Sequence, residues 1–160
     1  MKKVTLLIIC IVCVLTLVNC SPRVSSLPDV GFSLEGFNSD LEISLSDQWN
    51  TFKIGEDVTA YVTLKSDKEI EAPLDFNIQI YAYDSNNNEW NKVENIMSYG
   101  GDEPNMGPDL QNAVTSFHPR IVENNKKTVT IFFMIFGYEK IDGQITDNKI
   151  GAYAIFKMHP

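Results

Sequence analysis

The sequence predicts an all-β chain: an antiparallel β-sandwich of about seven strands, preceded by an export signal and a tether. Three observations predict it. Apolar residues recur with period two in several segments, and no segment between Leu41 and the end sustains a 3.6-residue apolar period for three turns. Clusters of Asn, Asp and Gly also punctuate the chain at short intervals. Strands that each carry one apolar face, linked by short turns, bury those faces by packing two sheets together.

In chain order, Leu41, Ile43 and Leu45 face one way while Glu42 and Ser44 face the other. Val58, Ala60, Val62 and Leu64 then alternate with Thr59, Tyr61, Thr63 and Lys65. Next, Phe76, Ile78, Ile80 and Ala82 alternate with Asn77, Gln79, Tyr81 and Tyr83. The run Asp84-Ser85-Asn86-Asn87-Asn88 reads as a hairpin turn into a shorter strand through Trp90 and Val93, because Asn and Asp tolerate left-handed backbone. Strands are expected near 114–121, 128–136 and 150–158, divided by Asn124-Asn125, Asp142-Gly143 and Asp147-Asn148.

Two phrases sharpen the prediction. Phe52-Lys53-Ile54-Gly55-Glu56-Asp57-Val58 resembles the Phe-x-x-Gly-Glu-x-Val entry into the second strand of many bacterial immunoglobulin-like domains. Gly151-Ala152-Tyr153-Ala154-Ile155 is similar to the Gly-x-Tyr-x-hydrophobic step of a late strand in such domains, where the tyrosine braces a corner. The resemblance covers most of residues 41–158 and implies an Ig-like sandwich. It carries a fold and no function.

The 160 residues are expected to divide into an export signal over 1–19, Cys20 with a flexible tether over 20–39, and a single domain over 40–160. Lys2 and Lys3 precede an uncharged run from Val4 to Val18, which has the length of a secretory signal and falls short of a membrane span. Leu17-Val18-Asn19-Cys20 resembles the bacterial lipobox, with Asn19 where that motif prefers Gly, Ala or Ser. The resemblance implies cleavage before Cys20 and fatty acyl anchoring, of the palmitate kind, to the outer side of a bacterial membrane. Two or more acyl chains hold where one does not, at roughly 0.8 kcal/mol per buried methylene. An ordinary signal peptide with Cys20 as a bystander is the competing reading. No small-residue pair of the A-x-A kind stands ahead of a cut there, and Ser21, Pro22, Arg23, Ser25, Ser26 and Pro28 form a spacer-like run. Cys10 and Cys13 form a CxxC inside the apolar run and leave with the signal, so no disulfide braces the domain.

Charge narrows the partners. The 13 basic residues less Lys2 and Lys3 leave 11 against 21 acidic ones, none before Cys20, for a mature net charge of −10. Nucleic acid is therefore not an expected partner, and anionic lipid would repel the domain, so membrane contact falls to the anchor.

No catalytic constellation emerges. A hydrolase would have to be built on His118 in Ser116-Phe117-His118-Pro119, and no Gly-x-Ser-x-Gly marks a serine nucleophile. No cofactor or metal is expected. Asp84-x-Asn86-x-Asn88 begins like a calcium loop, but Glu89 and Asn95 replace the Gly and the closing Glu it needs, and a hairpin turn is the simpler account. The 96–111 loop, with Tyr99, Asp102, Glu103 and Asp109, is read as a variable insertion, with partner binding or calcium as its alternatives.

The strand from Val129 is apolar on both faces: Ile131, Phe133 and Ile135 on one, Phe132, Met134 and Phe136 on the other. The second face is either covered by a loop or exposed beside Tyr81 and Tyr83. The candidate binding surface is accordingly Tyr81, Tyr83, Tyr99, Phe132, Met134 and Phe136. Trp49 and Trp90 are expected in the core, with stacking on sugar rings as the alternative. The expected function is non-catalytic binding of a protein or another envelope component; the alternatives are a carbohydrate-binding module and a proteinase inhibitor acting through a loop, as some similar Ig-like domains do.

Overall fold

The computed structural model describes residues 26–71, 77–95, 106–121 and 127–160. The expected signal segment, Cys20, Tyr99 and most of the 96–111 loop lie outside the described residues. Within them the chain forms nine strands and no helix: β1 (Leu41–Leu45), β2 (Thr51–Lys53), β3 (Val58–Leu64), β4 (Glu69–Glu71), β5 (Ile78–Asp84), β6 (Glu89–Val93), β7 (Asn112–Phe117), β8 (Val129–Ile141) and β9 (Gln144–His159).

They form the expected sandwich. The smaller sheet has the order β1-β3-β7, and the larger has β2-β9-β8-β5-β6 with β4 also paired to β8. The orders β1-β3-β7 and β9-β8-β5-β6 correspond to A-B-E and G-F-C-C′ in the Ig-like scheme, with no counterpart of its strand D among the described residues. All pairs are antiparallel except β2 with β9, which run parallel. The chain thus changes sheets between β1 and β2. It does so at a turn where Asp47 accepts hydrogen bonds from the backbone of Trp49 (3.1 Å) and Thr51 (2.9 Å).

Two strands escaped the sequence reading because β2 and β4 have three residues each, too few for alternation to register. The last hairpin is longer than expected for a different reason. Asp142 and Gly143 both have positive φ, 51° and 77°, as a two-residue type I′ turn requires, so pairing runs to the tip. Asp147 and Asn148, expected as a turn, instead lie within β9, where the Asn148 amide donates to Glu139 Oε2 at 2.7 Å.

The core lies between the sheets. Val58, Ala60, Val62 and Leu64 of β3 meet Ile131, Phe133 and Ile135 of β8 there. The Phe117 ring lies parallel to that of Phe133 at 3.9 Å, and Phe156 packs edge-on to Phe52 at 5.4 Å. Gly55, with φ 90°, makes the turn that its motif implied and brings Val58 into full burial.

Candidate functional site

Because β5 and β8 pair in register, with Tyr81 opposite Phe132 and Gln79 opposite Met134, their outward side chains gather on the outer face of the larger sheet. Tyr81, Phe132, Met134 and Phe136 do come together there, and Tyr83 stands at the margin against Trp90 at 5.1 Å. They do not form a free surface. Phe132 and Met134 are 0% exposed, and Tyr81 and Phe136 are also buried.

Residues 26–39 cover them. This segment, expected to belong to the tether, crosses the outer face of the sheet as a strap. Val30 is buried in it, and Phe32, Leu34 and Phe37 pack on the same cluster. At its start, Trp90 Nε1 donates to the Ser26 carbonyl at 2.8 Å. In its middle, Phe32 meets Phe136 edge-on at 5.1 Å, with Lys149 Nζ 5.1 Å from the Phe32 ring and 5.4 Å from that of Tyr138. At its end, Asn38 N–H donates to the Gly151 carbonyl (3.0 Å) and the Asn38 side chain accepts from Tyr153 N–H (2.8 Å). Lys68 then ties Asp40, at 2.9 Å, to Glu139, at 3.6 Å. The hydrogen bond to Asp40 holds the Lys68 ammonium above its ordinary pKa.

The strap is irregular because its own side chains serve its turns. Asp29 accepts from Gly31 N–H and Ser33 Oγ from Glu35 N–H, while Gly31 and Gly36 supply positive φ. Its signal was present in the sequence, since Val30, Phe32 and Leu34 alternate and Phe37 follows. The proline and serines ahead of it suggested a spacer.

Tyr153 was expected to brace a corner; its ring instead stacks on Phe132 at 5.2 Å in the covered cluster. Burial under the strap, and secondarily the charge of Asp29, pushes the Tyr81 hydroxyl above its ordinary pKa. The two tryptophans divide. Trp90 is half-buried between Tyr83 and Phe132, whereas Trp49, expected in the core, is 76% exposed because the Asp47 turn directs it outward.

The Asp84–Asn88 segment is a hairpin turn. Asp84 accepts from Asn86 N–H (2.8 Å) and the Asn87 amide (2.9 Å), and Asn88 is left-handed with φ 56°. Both carboxylate oxygens of Asp84 are thereby engaged within the turn. Beside it opens a cleft of about 330 Å³ lined by Tyr83, Asp84, Asn86, Arg120 and Lys127. His118 Nδ1 lies 2.8 Å from Asp57, and Ser116 Oγ, on the same face, pairs with Thr59 Oγ1 at 3.2 Å. This is a cross-strand ladder between β3 and β7. Ser116 Oγ is thus engaged across the strand rather than with the imidazole.

Among the large apolar residues, Ile141 and Ile145 stay 53% and 56% exposed at the tip of the β8–β9 hairpin. Comparison with protein-family models, curated proteins and solved structures found no match.

Proposed function

We propose that this chain is an exported, lipid-anchored envelope protein whose Ig-like domain acts by binding, without catalysis, a protein or another envelope component. The anchor reading rests on Leu17-Val18-Asn19-Cys20 and the apolar run before it. The observation that carries the binding reading is the β8–β9 hairpin tip. Two isoleucines stay in water there, flanking a tight turn on strands rooted in the core. A rigid hairpin presenting apolar side chains loses little conformational entropy when it docks. The strap occupies the aromatic face, so that face does not serve as the contact surface while the strap is docked.

Cross-linking on intact cells tests this reading, with a photoreactive residue at Ile141 or Ile145 and capture of the product. A discrete adduct at the tip, absent when the photoreactive residue is at Thr63 on the outer face of the smaller sheet, is the expected result. Equal labelling from both positions contradicts it. Exposed Trp49 favours a second reading, stacking on a sugar ring. Polysaccharide binding that disappears in Trp49→Ala would select it.

A further inference from the structure

We propose that the end of the sandwich bearing the β5–β6 turn faces the bilayer and that the β8–β9 hairpin tip points away from it. This rests on the lipid-anchor reading of Cys20.

The strap sets the geometry. Trp90 holds the Ser26 carbonyl, and Val30 is buried four residues on, so the chain is fastened to the larger sheet from residue 26. Ser26 follows Cys20 by six residues. Whatever their conformation, six residues span at most about 20–22 Å. The domain therefore rides close to its anchor rather than on a 20-residue tether over 20–39.

The point of attachment lies at one end of the strands. Trp90 pairs with Tyr83 beside the β5–β6 turn, and Tyr83 pairs with Thr130 at the start of β8. From Thr130 the strand runs eleven residues to Ile141 at the tip. At roughly 3.3 Å per residue that is about 36 Å. With its strands upright and its tip on the bilayer, the domain would hold Ser26 about 36 Å above the surface, beyond the reach of six residues.

Both ends carry mixed charge: Lys53, Lys92, Lys127 and Lys157 lie at the attachment end with Glu56, Asp57, Asp84 and Glu89, while Lys140 and Lys149 lie by the tip with Glu139, Asp142 and Asp147. A mature chain of net charge −10 is repelled by anionic lipid at either end, so the posture is set by the reach of the six residues and not by charge. The isoleucines of the tip then face outward, where a partner can meet them.

The test uses the full, lipidated protein in phosphatidylcholine–phosphatidylglycerol vesicles carrying a headgroup-linked energy acceptor. A donor is attached at Ser85→Cys in the β5–β6 turn or at Gln144→Cys at the tip, Cys20 being blocked by its thioether. Roughly twofold greater transfer from position 85 is expected from an offset of about 36 Å. A flexible insertion of about ten Gly/Ser residues before Ser26 should erase the difference. Protein that floats with the vesicles but transfers equally from both positions, or more from 144, overturns the orientation and leaves the anchor standing. Protein that fails to float overturns the anchor, and the orientation with it.

Discussion

The ring of Phe37 lies over the α-carbon of Gly151, where any side chain would collide with it. A Cβ at this position would also stand 2.7 Å from the Ile135 carbonyl and 2.8 Å from Phe136 Cβ. Gly151→Ala should therefore destabilise the fold by about 1–3 kcal/mol, the cost of overpacking against backbone that cannot yield. Phe37→Ala should cost about 2–3 kcal/mol through lost burial. The double variant should lose less than the sum, because the smaller residue at 37 relieves part of the clash. Chemical denaturation of the four proteins measures the coupling, and strict additivity would separate the two residues.

Tyr81 predicts an alkaline transition. Burial first, and the Asp29 carboxylate second, raise its hydroxyl above the ordinary value of 10.0. A raised pKa means that the folded state holds the proton more tightly, so stability is fully present below about pH 10 and declines as pH rises toward the folded value. Above pH 10 the strap should loosen, read as faster exchange over 26–37. Tyr81→Phe should remove that dependence.

Asp47 gives the opposite sign. Hydrogen bonds from the Trp49 backbone first, then from Thr51, hold its carboxyl below the ordinary value of 3.8. Its contribution is present above about pH 4 and is lost as pH falls through the lowered value. Asp47→Ala should lower the melting temperature at pH 7 and leave it nearly unchanged at pH 2. Trp49 fluorescence in the variant should report a loosened turn.

Thr115 is 3% exposed on β7, and its hydroxyl finds no hydrogen-bond partner among the described residues. Thr115→Val keeps the shape and removes an unpaired buried hydroxyl. It should raise stability by about 1 kcal/mol in thermal or urea unfolding. A loss of stability instead would mean that the hydroxyl is engaged.

The sandwich was legible because its principal strands alternate cleanly: β3 buries every second residue from Val58 to Leu64. The doubly apolar β8 was legible as a strand needing cover on both faces. What covers it was not, since the strap is held by turns, an indole hydrogen bond and a ring over a glycine, none of which has a sequence period. Tyr81, Phe132, Met134 and Phe136 look like an interface in sequence because an interface and a second core are built from the same residues. Ile141 and Ile145 were passed over for the converse reason. Isoleucine in a strand reads as core, whereas these two stand exposed at the end of the β8–β9 hairpin.

Amide hydrogen exchange along residues 26–39 is the most direct test that the strap is part of the sandwich. Asn38 N–H, bonded to Gly151, and Tyr153 N–H, bonded to Asn38, should be protected to within about tenfold of the β8 and β9 amides. Exchange of Asn38 at the rate of an unstructured peptide, with β8 and β9 fully protected, would contradict it.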